Sequence, residues 1–366
     1  MIDKSTLPAA VLQMALHVEH AASTAQHTAV TDLEAASNHN TAAVPVSHLH
    51  IPKCGGTSWA LMLQHSAKYA HVGHDGLHPL PSPLPSPAPS PGGETCFRET
   101  GTVFRPRPGV VRTMMARSPH AHVYSQYLEC RYSSWGHWAT NSSAGLFHTL
   151  SMVDGFRAWL KHFDPTRWNP SHGDFGCYNP RSMQARALTC GGTGVGVDVH
   201  HVTSSTYVPD AHVREAIYKM RDHLEFVGLV ELFPESWCLL LVRTLGTRPI
   251  PRSCNCLERV SIQVPTYSHG VPPHSVSSLP KDVLERIDAL TTADTQLYVA
   301  SMQRFLGEVV DVEERVFKPA GYRLLCDDRL EQLRRSTSYL NVSTNWVWAR
   351  TNARTLTNAW SHHPKR

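Results

Sequence analysis

The sequence predicts an α/β fold: a three-layer sandwich around a central parallel sheet. Three observations carry that prediction. Short segments near 46–51, 111–117 and 226–231, with apolar residues spaced among few polar ones, read as buried strands. Each is followed by a turn and a helix-forming segment, near 57–68, 119–131 and 234–246. Strands that alternate with helices come out parallel. Further helices are expected near 180–189 and 292–306. A mostly helical bundle with a small sheet is the competing architecture, suggested by the helix-rich second half. In an open parallel sheet, ligands bind beyond the carboxyl ends of the strands. The turns after the first two strands are therefore where chemistry is sought.

The first turn lies in Val46-Ser-His-Leu-His-Ile-Pro-Lys-Cys-Gly-Gly-Thr-Ser-Trp59. A strand, a Pro/Gly turn and a helix start aim backbone N–H groups and the positive end of a helix dipole at one spot. Lys53 adds a full charge, Thr57 and Ser58 add hydroxyls, and Gly55 and Gly56 allow close backbone approach. The order Lys-x-Gly-Gly-Thr-Ser is not that of a Walker A loop, so nucleotide triphosphate hydrolysis is not the first reading. The competing reading is an ordinary glycine-rich turn.

The second turn lies in Val110-Val-Arg-Thr-Met-Met-Ala-Arg-Ser-Pro-His-Ala-His-Val-Tyr-Ser-Gln-Tyr127. Pro119 suits a first helical turn, where its missing N–H costs nothing. Arg117 ends the strand and Ser125 follows eight residues on. A guanidinium fork and a hydroxyl can grip one phosphate from there. Taken alone, an arginine at a strand end is more often a surface ion pair.

The first segment resembles the 5′-phosphosulfate loop of sulfotransferases that use 3′-phosphoadenosine 5′-phosphosulfate (PAPS). It is closest to the Ile-Pro-Lys-Thr-Gly-Gly-Thr form of the carbohydrate O-sulfotransferases, with Cys54 where that family has Thr. The second resembles the family's 3′-phosphate site, with His122 where it usually carries a second basic residue. Cys177-Tyr-Asn-Pro-Arg-Ser-Met-Gln-Ala-Arg-Ala-Leu-Thr-Cys190, Phe226-Val-Gly-Leu-Val-Glu231 and Asp294-Thr-Gln-Leu-Tyr298 are similar to later segments of the heparan sulfate 2-O- and 6-O-sulfotransferase-like enzymes. The resemblance covers residues 45–310. It implies a P-loop-NTPase-like sulfotransferase fold, PAPS as co-substrate, no metal, and a glycan or other hydroxyl acceptor. It also implies that Lys53, Cys54, Gly55, Gly56, Thr57 and Ser58 hold the 5′-phosphate, through the backbone N–H groups of 54–58 and the two hydroxyls. Arg117 and Ser125 then hold the 3′-phosphate, and Lys53 stabilises the leaving oxygen.

Transfer also needs a base for the acceptor proton. The related enzymes use a histidine between the two nucleotide segments. Here that interval contains His71-Val-Gly-His-Asp-Gly-Leu-His78. His78, in Gly-Leu-His, ranks slightly above His74, and Glu94 is third. A plain surface role competes for each.

Composition bounds the rest. A chain of 366 residues with net charge +4 and no Lys/Arg run does not point to nucleic acid. Its 24 histidines lack metal-site spacing and read as surface and loop residues. Residues 1–44 read as a flexible segment, 45–310 as the catalytic domain, 79–91 as a proline-rich insert of polyproline II character, and 311–366 as an extension ending in a basic tail. Of nine cysteines, eight remain once Cys54 is assigned to the loop. The sequons at Asn141 and Asn341 are compatible with a secretory compartment, and the resemblance implies the Golgi lumen. No signal peptide, anchor or other membrane-associating segment is visible, and nothing in the sequence sets an oligomeric state. Two other functions compete with the transferase. One is a degenerate nucleotide-binding protein, to which Cys54 and His122 point. The other is a phosphotransferase, for which no convincing Mg²⁺-binding carboxylate after a second strand is found.

Overall fold

The computed structural model describes residues 46–65, 110–140, 149–164, 177–189, 210–258, 262, 264 and 270–340. The proline-rich insert and both ends of the chain lie outside the described residues.

Three parallel strands form one sheet in the order β1 (Val46–Leu49), β2 (Val111–Ala116), β3 (Phe226–Leu229). Val46 pairs with Val111 and Leu49 with Met114; Thr113 pairs with Phe226 and Ala116 with Leu229. β1, β3 and the last four residues of β2 are buried, as expected of these segments. Glu225 locks the start of β2 to β3, accepting from the Arg112 backbone N–H at 2.7 Å and from its guanidinium.

Helix α1 (Gly56–His65) follows β1, α2 (Pro119–Tyr132) follows β2, and α7 (Phe233–Leu239) follows β3. Between them lie α3 (Ser134–Ala139), α4 (Met152–His162), α5 (Met183–Thr189) and α6 (Asp210–Asp222). The chain continues through α8 (Lys281–Leu290), α9 (Thr292–Val312) and α10 (Asp327–Ser336). α7 runs on as a π-helical turn over Leu240–Thr244, so the helix predicted near 234–246 is present with a wider last turn. No described helix is long and apolar enough to cross a membrane.

The class is thus mixed α/β with a parallel sheet. Strands of 4, 6 and 4 residues against so many helices give proportions nearer the helix-rich alternative. The core is aromatic at its centre. Trp59 of α1 stacks on Phe226 of β3 at 5.6 Å and meets Trp237 of α7 edge-on at 5.5 Å. These contacts fix α1 against the far strand and so set the direction in which its first turn points. Buried Phe317, Leu324, Leu325 and Leu333 belong to the same core, which therefore reaches past residue 310. Arg304 of α9 caps the C-terminal end of α6, donating to Met220 O and, at 2.8 Å, to Leu224 O. Helix ends leave such carbonyls without intrahelical partners.

Candidate functional site

The turn between β1 and α1 is tight. The Cys54 N–H donates to Ile51 O at 3.1 Å, and its side chain is buried. Lys53 and Gly55 both sit in the left-handed region, with φ of 61° and 72°. For Lys53 that conformation costs about 1 kcal/mol or more, a strain that clusters at functional turns. Gly55 is required twice over, since a Cβ there would also press on the Phe233 ring at 3.3 Å. At Gly56 a Cβ would fall 1.9 Å from the His50 ring. Packing within the protein thus demands both glycines.

The first N–H groups of α1, on Gly56, Thr57 and Ser58, have no partner within the helix. Neither α1 nor α2 has an acidic residue in its own first turn, though Glu231 brings a carboxylate to the Ser118 N-cap of α2. The Cys54 N–H is held by Ile51, so the donors left in this turn begin at Gly55.

The β2–α2 turn lies beside this one because β1 and β2 are neighbours. An Arg117 Nη donates to Lys53 O at 2.8 Å, joining the two turns directly. The Arg117 backbone is gripped by Gln184 of α5, whose Oε1 accepts from the Arg117 N–H at 3.0 Å and whose Nε2 donates to Arg117 O at 2.8 Å. The Ser118 N–H donates to Glu231 at 2.8 Å, and Tyr298 donates to the other oxygen of that carboxylate at 3.0 Å. Burial pulls the Arg117 guanidinium below its ordinary pKa, with the Glu231 carboxylate opposing.

His122 Nε2–H donates to Pro52 O at 2.8 Å from a fully buried position. Burial, helped by the Arg117 and Lys53 charges, drives its pKa down to about 3. The imidazole is therefore neutral at physiological pH. It braces the loop and does not replace the second positive charge of the resembling family.

Lys53 Nζ lies 2.8 Å from Glu129 Oε2 at the far end of α2. Ser125, one helical turn before Glu129, is buried. A loop ending in the short helical turn Val276–Ser278 lies over the same helix. In it the His274 ring meets Tyr124 edge-on at 5.2 Å, and His274 Nδ1 donates to Pro272 O at 3.0 Å.

Of the residues singled out from the sequence, Lys53, Cys54, Gly55, Gly56, Thr57, Ser58, Arg117 and Ser125 sit on these two turns and the helices they start. His74, His78 and Glu94 lie outside the described residues. Sequence reasoning passed over Glu129, Gln184, Glu231 and His274. The signal for Glu129 was present: it stands i+4 from Ser125 and i+7 from His122, on the helical face that meets the Lys53 turn. Gln184 and Glu231 fell within quoted segments without a role. His274 lies on an irregular loop far along the chain and carried no local signal. Comparison with family models, curated proteins and solved structures found no match.

Proposed function

We propose that this chain is a sulfotransferase that moves a sulfuryl group from PAPS to an acceptor hydroxyl on a glycan. The observation that supports this most is the direct junction of two anion-suited turns on neighbouring parallel strands, Arg117 to Lys53 O at 2.8 Å. The donor chemistry fits a nucleotide with phosphates at both ends. Thr57, Ser58 and the helix N–H groups suit the 5′-phosphate, and Arg117 and Ser125 the 3′-phosphate. The finer fold proposed with this reading is the three-layer, P-loop-like one, and the proposed setting is the Golgi lumen. Among the described residues, the disulfides Cys130–Cys177, Cys238–Cys254 and Cys256–Cys326 suit an oxidising compartment.

In the mechanism, the acceptor oxygen attacks sulfur in line as the bond to the 5′-phosphate oxygen breaks. Lys53 neutralises charge growing on that leaving oxygen, and the fixed N–H groups stabilise it without reorganisation. A base takes the acceptor proton; His78, His74 and Glu94 are the candidates carried over from the resemblance.

A non-catalytic nucleotide-binding protein is the second reading. It is favoured by the hold of Glu129 on Lys53, by the buried Cys54 and by the neutral His122. Titration calorimetry with 3′-phosphoadenosine 5′-phosphate, against ATP and AMP and with or without Mg²⁺, tests binding. Transfer from labelled PAPS to desulfated glycosaminoglycans, phenols and small alcohols tests chemistry. Metal-independent preference for the 3′-phosphorylated nucleotide together with transfer is expected. Binding without transfer to any acceptor selects the second reading. Preference for ATP with Mg²⁺ refutes both. Arg117→Ala should weaken the 3′-phosphorylated nucleotide by about 1.5–3 kcal/mol, the scale of a charge-assisted hydrogen bond, and erase the preference over AMP.

A further inference from the structure

We propose that Glu129 of α2 is the proton acceptor of the transfer reaction, working beside the lysine that meets the leaving oxygen. The inference rests on the sulfotransferase reading and gives a role to a residue that no sequence motif marks.

The placement rests on a direct contact. Lys53 Nζ donates to Glu129 Oε2 at 2.8 Å, joining the β1–α1 turn to a helix residue 76 positions on. In the proposed mechanism the same ammonium meets the donor's leaving oxygen. The attacking oxygen stands about 3–3.5 Å from sulfur in a reactive pose, opposite that leaving oxygen. A base must lie within about 2.6–3.2 Å of the oxygen it deprotonates. Three hydrogen-bond steps, from the leaving oxygen to Nζ, from Nζ to the carboxylate and from the carboxylate to the attacking oxygen, are together long enough to close around the sulfur. A carboxylate a single hydrogen bond from the leaving-group lysine is therefore within reach of the attacking hydroxyl. A carboxylate offers about four acceptor positions, so it can accept from Lys53 and from that hydroxyl together.

Helix α2 orders the parts along one stripe. Ser125, Glu129 and Tyr132 stand at i, i+4 and i+7, which share a face of the helix. Ser125 is proposed for the 3′-phosphate, and Glu129 meets Lys53. Tyr132, one turn further on, is 39% exposed. The stripe thus runs from the donor toward solvent, and the acceptor comes in from its Tyr132 end. The Lys53 side chain is 16% exposed against 5% for Glu129, so the pair opens to solvent at the lysine, where the sulfuryl group is delivered.

The step balances. The acceptor oxygen forms a bond to sulfur and its proton passes to Glu129, whose carboxylate becomes a carboxylic acid. The bond from sulfur to the 5′-phosphate oxygen breaks, and its electron pair leaves with 3′-phosphoadenosine 5′-phosphate. Neutralising Glu129 also loosens its hold on Lys53 at the moment charge grows on the leaving oxygen. The acid then returns its proton to solvent.

The test uses the full chain, labelled PAPS and two kinds of acceptor. One is the alcohol or glycan from the panel above with the highest rate, whose hydroxyl carries its proton. The other is 4-nitrophenol under mildly alkaline conditions, where it is ionised and needs no base. Glu129→Gln should lower kcat for the first by roughly a hundredfold or more, the usual worth of a positioned base. For the nitrophenolate it should lower kcat only a few-fold. A residue that merely held Lys53 in place would slow both acceptors alike. Affinity for 3′-phosphoadenosine 5′-phosphate should hold or rise in the variant. Added acetate should restore a measurable part of the alcohol or glycan rate in Glu129→Ala and leave the unaltered protein unchanged. Should Glu129→Gln fail to fold, Glu129→Asp, which draws the carboxylate back by one methylene, should show the same selective loss. The inference is overturned if the alcohol or glycan rate stays within a few-fold of the unaltered protein, or if both acceptors slow equally. It is also overturned if nucleotide affinity falls as far as kcat, which marks a donor-binding group. Absence of transfer to either acceptor by an unaltered protein that still binds the nucleotide refutes the sulfotransferase reading, and the base role with it.

Discussion

Lys53, the proposed anion-binding residue, has a left-handed backbone and a side chain held by a carboxylate. Its φ is 61°, and Glu129 takes its ammonium at 2.8 Å. A phosphate oxygen arriving at the turn competes with that carboxylate for the same donors. In a partly buried site, an anion about 5 Å from a carboxylate feels repulsion of about 3 kcal/mol at an effective dielectric near 20. Glu129→Gln keeps a hydrogen-bond acceptor and removes the charge. It should therefore bind 3′-phosphoadenosine 5′-phosphate about tenfold or more tightly by calorimetry. Weaker binding instead means that Glu129 positions Lys53 for the nucleotide and does not compete with it. Lys53→Ala should lower sulfuryl transfer by at least about a hundredfold, the scale of losing one transition-state donor. Arg117 gives one Nη to Lys53 O and, in the proposed function, the rest of its fork to the 3′-phosphate, so it is not a substitute cation at the leaving oxygen. A Lys53→Ala rate within a few-fold of the unaltered protein removes Lys53 from the mechanism.

At the level of elements, a relay of caps sets the β2–α2 turn. Asp294, in the first turn of α9, accepts from the N–H groups of Ala185 at 2.8 Å and Gln184 at 3.2 Å, capping α5 from another helix. Gln184 in turn clamps both polar groups of the Arg117 backbone. Burial raises the Asp294 pKa to about 7, against the pull of those two N–H groups. In the unfolded chain its carboxyl returns to about 3.9. The folded state then binds more protons than the unfolded one between about pH 4 and 7, so stability from this group is full below that window and falls as pH rises through it. Asp294→Asn should flatten that part of the stability profile in urea titrations across the window. An unchanged slope there would show that Asp294 titrates normally.

This relay also shows what the sequence concealed. β3 was legible as an unbroken apolar run, while β1, with Ser47 and His48, and β2, with Arg112 and Thr113, were legible from the turn and helix start that follow each of them. α1, α2 and α9 were legible from the segments that precede or compose them. α8 has buried Val283, Ile287 and Leu290 at helical spacing, but neither a strand before it nor a turn motif marks it out from an ordinary amphipathic stretch. The loop residues of the site were legible since they are contiguous. Gln184, Glu231 and Glu129 act across separations of 67, 113 and 76 residues, and nothing local reports such partners.

Across the whole molecule, the segment after residue 310 supports the site from behind. Arg329 of α10 donates to Glu235 at 2.7 Å and to Glu231 O at 3.2 Å, bracing the residue that holds the Ser118 N–H. Tyr339 stacks on His120 at the start of α2, and His120 pairs with Asp288 at 2.7 Å. Cys326, the N-cap of α10, is joined to Cys256 across 70 residues. A crosslink of that span restricts the unfolded chain by about 4 kcal/mol in the loop-entropy account. Changing both Cys256 and Cys326 to Ser should therefore lower the unfolding free energy by roughly that amount, read from urea titrations under non-reducing conditions. Arg329→Ala should also lower global stability, because it leaves the buried Glu235 carboxylate without its partner. It should act on the site as well: with Glu231 O released, the Ser118 and Arg117 turn loosens and nucleotide affinity drops. If the double serine variant is as stable as the unaltered protein, α10 is held by its buried Leu333 and the Arg329 contacts alone. If Arg329→Ala leaves nucleotide affinity intact, the site is complete without the C-terminal segment, and the support drawn here from α10 through Glu231 to Ser118 does not reach the nucleotide.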